Sequence, residues 1–540
     1  MSTRPDSGNS ERTAILPSVE TLFINGHILT QNFRNPTASQ LGLRGKKIVA
    51  VGTDLSMYRA QATQIIDLDG AVLTPGFMDV HTHFPEGGQQ LLSVDLRAAF
   101  SKSEFIQILA DAARTTPIDR WITGGHWDQQ QFPDKAMPSK EWLDQAAPDH
   151  IVFVNRHDGH SAVANSKALQ LAGITAGTPD VPGGVIVKDK HGNPTGLLKD
   201  AAMNLVYRLQ PPESEEHKRQ YLNAAMDEAL KQGITSINDM SVDFDRLRWY
   251  EGLAKAGELR VRIRVYTPFL RWPDLKRELE KGIYQDEWFQ VGGLKGFSDG
   301  SLGSSTALMF DDFNNEPGNC GLIDRDFEDL TKVREILWDA DAHNIQVAIH
   351  AIGDKANRLV LDLFAELYES RGKRDRRYRI EHAQHIHPDD QSRFGDQRVI
   401  ASVQPYHCVD DSRWAGAILG DRTSQAFPYR SIHKSGGRLA MGSDWPVAPM
   451  NAILGMQAAI LRNNWIPEER LDLGTALHAY TEGAAFAEFS DHYKGHLSPG
   501  MLADMVVLKR EFLNLAEVDL KTTDLITAVF SNGKLVHGEI

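Results

Sequence analysis

Eight short apolar runs recur along the chain between residues 77 and 444, and several are separated by helix-like patterns. The runs are FMDVHTH, ITSINDM, RVRIRVYTP, GGLKGFSD, IQVAIHAIG, RYRIEHAQ, VIASVQP and RLAMGSD. The clearest helix is predicted in DKANRLVLDLFAELYESRG, where apolar residues from Ala356 to Leu367 follow the i, i+3, i+4 spacing and Gly372 ends the pattern. Eight strands with intervening helices predict an α/β chain whose main domain, residues 76–491, is a (β/α)8, TIM-like barrel.

Two β-rich segments lie at opposite ends of the chain, at residues 19–75 and 492–540. Each contains an Asn-Gly dipeptide, Asn25-Gly26 in the first and Asn532-Gly533 in the second, and this dipeptide is typical of a β-hairpin turn. Each segment alone is too small for a core. We therefore predict one small composite β-sandwich built from both segments. A flexible tail is predicted at residues 1–18.

One connection of the predicted barrel is far too long for a single helix. About 150 residues separate His83 from the second strand at Ile234, and loops of that length carry structure of their own. Part of this connection, GGVIVKDKHGNPTGLL, predicts a β-hairpin. We expect an inserted subdomain at about 85–215, over the mouth of the barrel. It would act either as a lid or substrate wall, or as an insertion without a role in the chemistry.

Polar side chains close five of the eight runs. The first run ends in His81 and His83, which point to the same side because side chains alternate along a strand. Barrel enzymes place their chemistry at the carboxyl ends of the strands. A single histidine, lysine or aspartate there is usually structural, but together these side chains predict a metal site. The predicted set is His81, His83, Lys295, His350, His382 and Asp444.

The charge and the cysteine content of the chain exclude several kinds of partner and location. The net charge is -14 and there is no dense basic run, so neither nucleic acid nor an anionic membrane surface is expected as a partner. Two cysteines do not make a disulfide framework and are typical of a reducing compartment. The polar start contains no signal-like apolar stretch, and no apolar run is long enough to span a membrane. We therefore predict a cytoplasmic protein.

At the level of whole motifs, the chain resembles the amidohydrolase superfamily, and within it amidohydrolase family 3. This is the YtcJ-like group of metal-dependent hydrolases that includes N-substituted formamide deformylase. The superfamily pattern is H-x-H on strand 1, lysine on strand 4, histidine on strands 5 and 6 and aspartate on strand 8. The narrower resemblance rests on GHSAVANSKAL, KGFSDGSLGSSTA, AIHAIGDKAN, RIEHAQHI, ASVQP, GSDWPV and LSPGMLADMVVL.

The resemblance implies a cofactor and a reaction. It implies zinc, with two ions per chain, and a Lys295 that is carboxylated by carbon dioxide so that it can bridge them. One ion would be bound by His81, His83, Lys295 and Asp444, the other by Lys295, His350 and His382. A metal-activated hydroxide would then cleave a carbon–nitrogen bond of a small amide other than a peptide, with Asp444 as proton shuttle.

Further expectations concern the surroundings of the metal site. Asp79, Glu381 and Asp354 are candidates for the acceptors that orient metal-bound histidines. His160, Asp299, Gln404 and Trp445 are candidate substrate contacts. A homodimer is left open.

Several alternatives stay open at this point. One ion instead of two, manganese or iron instead of zinc, and an idle Lys295 would describe a mononuclear, deaminase-type hydrolase of the same superfamily. A non-catalytic barrel that serves as a binding scaffold is the remaining alternative, although such a protein need not retain all six ligand candidates.

Overall fold

The computed structural model of the chain describes residues 18–156, 160–211 and 214–540. The tail predicted at residues 1–18 therefore lies, apart from residue 18, outside the described residues. The chain divides into two compact units, one formed by the residues up to His83 and from Asp227 onward, the other by Phe84–Met226. Within the described ranges, no helix has both the length and the apolar character needed to cross a bilayer.

A parallel sheet of eight strands forms the centre of the first unit. Most residues of these strands are buried, as expected for a parallel sheet that is covered on both faces. Each strand pairs with the next one in sequence, and every pair is parallel. The strands are β1 (Phe77–Thr82), β2 (Ile234–Asp239), β3 (Arg262–Pro268), β4 (Phe289–Phe297), β5 (Gln346–Ala351), β6 (Arg379–His382), β7 (Ile400–Val403) and β8 (Arg438–Met441).

The sheet closes on itself between the end of β8 and β1. The backbone N–H of Asp444 donates to the carbonyl of His81 over 2.7 Å, and that of His83 donates to the carbonyl of Trp445 over 2.7 Å. A parallel bridge joins Thr82 to Trp445 beside these bonds. The predicted (β/α)8 barrel is confirmed, and each of the eight sequence runs overlaps one of its strands.

Helices surround the barrel in the connections between strands. The one after β5 spans Asp354–Arg371 and is followed by Gly372, whose φ of 76° is readily adopted by glycine. The other helices of this unit are Phe244–Ala256, Trp272–Glu280, Leu330–Ala342, Pro388–Gln391, Arg393–Asp396, Pro405–Asp411, Ala415–Leu419, Tyr429–Lys434, Ala452–Leu461, Leu473–Ala479 and Glu482–Ala487. Short 3₁₀ turns lie at Ser56–Tyr58, Phe269–Arg271, Arg325–Phe327, Gly420–Gln425, Arg462–Asn464, Pro467–Glu469 and Arg510–Glu517.

Both ends of the chain contribute to a pair of sheets in the same unit. One sheet has the strand order Lys47–Gly52, Gln40–Arg44, Thr21–Ile24 and Gln64–Asp67. The other has the order Lys534–Gly538, Ile526–Ser531, Met505–Leu508, Val72–Pro75, His27–Leu29 and Thr37–Ala38. The two sheets share one apolar core, in which the rings of Phe23 and Phe530 meet edge to face with centroids 5.4 Å apart.

The first Asn-Gly dipeptide, at residues 25–26, does not form the hairpin that its sequence predicts. The strands on either side, Thr21–Ile24 and His27–Leu29, belong to different sheets, so the dipeptide carries the chain from one sheet to the other. Asn25 has a φ of 56°, and its exposed side-chain amide donates to both carboxylate oxygens of Asp67. The second dipeptide, at residues 532–533, does join two antiparallel neighbours.

The second unit, Phe84–Met226, has a mixed sheet of its own and includes the predicted insertion at about 85–215. Its strand order is Gly184–Lys188, Pro194–Asp200, Ser161–Ala164, Ile151–Arg156, Gly124–Trp127 and Val94–Asp95, with Trp121–Ile122 beside Ile151–Arg156. The first two of these strands form the hairpin that the sequence predicts. The helices are Phe84–Leu91, Lys102–Thr115, Lys140–Ala146, Ser166–Leu171, Asn204–Tyr207 and the part of Glu215–Lys231 up to Met226, with 3₁₀ turns at Gln129–Gln131 and Ala201–Met203.

A buried ion pair connects the barrel to the sheet made by both chain ends. Arg262 of β3 donates to the two carboxylate oxygens of Asp504 at 2.8 and 3.2 Å, and Asp504 directly precedes the strand Met505–Leu508. Both side chains are almost fully buried. Breaking a buried pair on one side leaves an uncompensated charge, so we expect Arg262→Met to destabilise the protein by about 3–5 kcal/mol in urea unfolding.

Two further variants serve as controls for this prediction. Arg262→Met combined with Asp504→Asn removes both charges and should recover part of the lost stability. Arg97→Met breaks the exposed pair with Asp95 and should change stability by about 0–1 kcal/mol. If the double variant were as unstable as Arg262→Met alone, the unpaired charge would not be the cause.

Candidate metal centre

Three predicted ligands meet where the barrel closes. His81 and His83 lie at the end of β1, with their side chains on the same side as strand alternation predicts. Nε2 of His81 and Nε2 of His83 lie 3.5 and 3.4 Å from Oδ1 of Asp444, which follows β8. One ligand atom from each of the three residues lies within 4.8 Å of the others. The side chains of His81 and Asp444 are buried, and that of His83 is 30% exposed.

Three more imidazoles lie beside this group. His382 ends β6, and its ring centroid lies 4.9 Å from that of His81 and 4.4 Å from that of His350 on β5. On its other side, the ring of His382 lies nearly parallel to that of His407, with centroids 6.2 Å apart. His382, His407 and Asp444 form a second group whose ligand atoms lie within 4.8 Å of one another.

Two of these residues have backbone conformations that side chains other than glycine rarely adopt. Asp444 has a φ of 63°, and His382 has a φ of 73°. Such conformations cost on the order of 1–3 kcal/mol each and persist where the surrounding structure imposes them, often at functional sites. The strain therefore marks the same strand ends as the ligand geometry does.

The carboxylate of Asp79 fixes the backbone around the first group. Its Oδ1 accepts from the N–H of His81 at 3.1 Å and from that of Ser443 at 2.9 Å, and burial raises its pKa to about 7. Gly442 lies against this carboxylate, since a Cβ there would be 2.6 Å from Oδ1. Asp79 thus orients the strand ends through hydrogen bonds to the backbone. Alternation along β1 favours it as the acceptor for the imidazole of His81, but the structure gives that role to another residue.

The acceptor for the His81 ring is Glu381 of β6. Nδ1 of His81 lies 2.6 Å from Oε2 of Glu381, which also accepts from the hydroxyl of Ser402 at 2.6 Å. Burial alone would raise the pKa of Glu381, but Arg379, 2.7 Å from its Oε1, and His81 outweigh burial and lower it to about 2. A charged carboxylate on Nδ1 leaves Nε2 of His81 free to bind a cation. The third candidate for this role, Asp354, accepts from the N–H of Phe310.

Lys295 is buried in β4 near the same group. Burial lowers its pKa to about 8, so a sizeable fraction of the amine is neutral near neutral pH. Nζ lies 4.3 Å from the centroid of the Phe297 ring. Gly293, two residues before it, lies where a Cβ would be 2.0 Å from the carbonyl oxygen of Gln346, so this glycine allows β4 and β5 to approach each other.

His350 and Asp299 connect the loops after β4 and β5. Nε2 of His350 lies 2.9 Å from the carbonyl oxygen of Gly300 and 3.5 Å from Oδ1 of Asp299. The two oxygens of Asp299 accept from the backbone N–H groups of Leu308, Ile352 and Gly353 at 2.8–3.0 Å, and burial raises its pKa to about 7. Asp299 thus contacts three backbone N–H groups and the ring of His350, and its role as a substrate contact stays a prediction.

The other predicted substrate contacts lie in different surroundings. Gln404 is buried directly after β7, and its Nε2 donates to the carbonyl of Ser402 at 3.3 Å. Trp445 is buried next to Asp444 and bridges to Thr82. His160 belongs to the second unit, where its ring is exposed and lies 3.0 Å from Oδ1 of Asp200.

Sequence reasoning missed one member of the cluster, His407. It lies in the helix Pro405–Asp411, one turn beyond the end of β7. Nε2 of His407 is 3.9 Å from Oδ2 of Asp444. The proline of the motif ASVQP starts this helix, but no pattern in the sequence indicates that the helix points towards the barrel centre.

The donor set is suited to a divalent cation. Nδ1 of His382 and Nε2 of His407 are buried and have no hydrogen-bond partner in the described part of the chain. A buried nitrogen without a partner costs free energy unless it binds a ligand. Burial lowers the pKa of His350 to about 3 and that of His382 well below its usual range, so these rings stay neutral, the form that binds metals. Imidazole with carboxylate is a donor set that zinc prefers.

Comparison with known proteins finds relatives that match most of the chain. The model of a family described as "Amidohydrolase family" matches residues 64–537. Protein LONG AFTER FAR-RED 3 of Arabidopsis thaliana is 37% identical over 533 residues, covering 94% of this chain and 90% of its own length. The putative amidohydrolase YtcJ of Bacillus subtilis is 31% identical over 500 residues, covering 89% and 92%. N-substituted formamide deformylase of Arthrobacter pascens is 25% identical over 528 residues, covering 94% and 96%.

The fold has a close counterpart among solved structures. An uncharacterized metal-dependent hydrolase from Pyrococcus furiosus superimposes with a TM-score of 0.76 at 28% identity, over 91% of this chain and 99% of that one. Together with the family match, this confirms the resemblance on which the sequence prediction rested.

Proposed function

Because the chain belongs to the amidohydrolase family of metal-dependent hydrolases, we propose that it hydrolyses a carbon–nitrogen bond in a small amide other than a peptide. The observation that carries the proposal is the convergence of His81, His83 and Asp444 on one point at the carboxyl end of the barrel. The substrate class that we propose is an N-substituted formamide. Its support is the likeness to N-substituted formamide deformylase over nearly the whole chain.

We propose that the chain binds two zinc ions. His81, His83 and Asp444 would hold the first of them. When bound, such a cation supplies Lewis acidity that polarises a carbonyl and lowers the pKa of water. The residues add orientation: Glu381 fixes the ring of His81, and Asp79 fixes the backbone of both strand ends. His81 and Asp444 are buried, so they would act on a bound cation in surroundings of low dielectric constant.

Asp444 is the residue that we assign to proton transfer. Burial alone would raise the pKa of Asp444, but His81, His83, His382 and His407 lower it well below its usual range, so the carboxylate is ionised throughout the neutral range. It can take a proton from the attacking water as the oxygen–carbon bond forms. It then gives that proton to the leaving nitrogen as the carbon–nitrogen bond breaks, which yields formic acid and an amine from a formamide.

Lys295 would act in its carboxylated form. A neutral amine can attack carbon dioxide, forming a nitrogen–carbon bond and releasing one proton, and the product is a carboxylate on a long side chain. A pKa lowered to about 8 increases the neutral fraction that this step needs. A cytoplasmic location is also proposed; its support is that Cys320 and Cys408 are both free.

The carboxylation of Lys295 makes a spectroscopic prediction. After incubation with ¹³C-labelled bicarbonate, the protein should show a carbamate carbon resonance, and Lys295→Ala should lack it. Lys494→Ala is the matched control, because Lys494 is equally buried but is paired with Glu488 at 2.7 Å. A resonance of equal intensity in Lys295→Ala would show that another amine carries the label.

A substrate panel tests the proposed function. Purified protein, stripped with a chelator and then reloaded with zinc, is assayed against N-benzylformamide, N-benzylacetamide and a dipeptide amide. Activity should require reloading and should be highest for the formamide, while the dipeptide should not be cleaved. A fully reloaded protein that releases no amine from any amide would overturn the proposal.

A further inference from the structure

The carboxylate of Asp444 presents its two oxygens to different imidazoles. Oδ1 faces His81 and His83 at 3.5 and 3.4 Å, whereas Oδ2 faces Nε2 of His407 at 3.9 Å. None of these separations is a hydrogen bond of ordinary length. A carboxylate with donors gathered at both oxygens can bridge two cations, and paired metal sites in proteins are commonly bridged in this way.

A second group of potential ligands consists of His382, His407 and Asp444. One ligand atom from each residue lies within 4.8 Å of the others, the same limit that the first group meets. Nδ1 of His382 and Nε2 of His407 have no hydrogen-bond partner among the described residues. His382 is 5% exposed and strained at φ 73°, and the side chain of His407 is 12% exposed. Buried imidazole nitrogens without a partner point to a missing ligand.

Gln384 lies where an orienting group for His407 is needed. Its amide nitrogen Nε2 lies 3.3 Å from Nδ1 of His407. A half-turn of this amide places its oxygen on the same side, where it would accept the Nδ1 proton and leave Nε2 of His407 without a proton towards Asp444. A metal-bound histidine is usually supported in this manner through its other nitrogen.

We propose that His382, His407 and Asp444 form a second cation site, with His407 as a metal ligand that the family resemblance does not supply. The site takes a divalent transition metal ion such as zinc or cobalt. It rests on the proposed function only in that Asp444 is shared with the first group. It differs from the set of Lys295, His350 and His382 that the resemblance implies for a second ion, because its carboxylate comes from β8 and its additional imidazole from the helix after β7.

Cation counting tests this proposal without relying on activity. Apo protein is titrated with Co²⁺, and bound metal is measured by elemental analysis and by visible absorption. His407→Gln should bind one cation fewer than the unsubstituted protein, and His83→Gln should weaken the other. His385→Gln is the matched control: among the residues that the structure describes, His385 is also buried with no hydrogen-bond partner at either ring nitrogen, yet it belongs to neither group.

A second variant keeps the test decisive if His407→Gln folds poorly. His407→Cys retains a ligand and replaces nitrogen with sulfur, so its Co²⁺ form should gain a near-ultraviolet sulfur-to-cobalt charge-transfer band. His385→Cys and the unsubstituted protein, which carries Cys408 next to the site, should lack that band. A His407→Gln variant with an unchanged cation count, or a His407→Cys variant without the band, would overturn the proposal.

The outcomes separate this inference from the proposed function. If the unsubstituted protein hydrolyses amides while His407→Gln retains its full cation count, only the second site is wrong. If the cation count falls in His407→Gln but no amide is hydrolysed, the site stands and the assigned reaction fails.

Discussion

We expect Asp444→Asn to lower kcat for the proposed amide hydrolysis by about 10²–10⁴-fold, because a side-chain amide can neither accept the proton of the attacking water nor protonate the leaving nitrogen. The substitution preserves the size of the side chain and one oxygen. It removes the negative charge that faces His81, His83 and His407, so bound metal must be measured together with kcat. KM should change far less than kcat, since the loss concerns proton transfer.

The leaving group distinguishes proton transfer from mere metal binding. If Asp444 protonates the departing nitrogen, formanilides with electron-withdrawing ring substituents, whose amines leave more easily, should lose less rate in Asp444→Asn than simple N-alkyl formamides. Loss of metal alone would slow both classes equally. Asp79→Asn is the matched control, because Asp79 is also a buried carboxylate of this centre, but its Oδ1 accepts from the backbone N–H groups of His81 and Ser443 and it is not a candidate ligand. An Asp444→Asn kcat within ten-fold of the unsubstituted value would refute the assignment.

The barrel was predictable because its signal is local. Each strand appears as a short apolar run, and side-chain alternation shows which residues share a face, so His81 and His83 could be placed together from the sequence alone. The helix Asp354–Arg371 was equally predictable, from the spacing of its apolar residues and from the glycine that follows it. The hairpin predicted at residues 25–26 was wrong, because an Asn-Gly dipeptide indicates a local backbone conformation and does not determine which strands pair on either side of it.

The surroundings of the ligands depend on contacts between distant residues. Glu381 lies 300 positions from His81, and only the register of the barrel strands brings its carboxylate to the imidazole. Alternation along β1 favoured Asp79 for this role because it considers one strand at a time. His407 was missed for a related reason, since the orientation of the helix after β7 is set by its packing and not by its sequence pattern.

We expect Glu381→Gln to weaken cation binding at the proposed first site by about 10–100-fold, as loss of the acceptor behind a metal-bound histidine typically does. Glutamine keeps the shape of the side chain but removes the charge that raises the basicity of His81. The same change leaves the guanidinium of Arg379 buried without its anionic partner, so we expect a stability loss of about 3–5 kcal/mol. The pKa of Glu381 is lowered, so its contribution to stability is present above its ordinary pKa and is lost as pH falls towards about 2.

A double variant separates the effect on metal binding from the effect on folding. Glu381→Gln combined with Arg379→Met removes both buried charges and should recover stability in urea unfolding, yet its zinc affinity should stay low because His81 still lacks an anionic acceptor. Ser402→Ala is the matched control: it removes one hydrogen bond to Oε2 of Glu381 but leaves the charge, so zinc affinity should change little. If zinc affinity returned together with stability in the double variant, Glu381 would affect zinc binding only by stabilising the folded protein. Neutral packing cannot replace a carboxylate that orients and polarises the ring of His81.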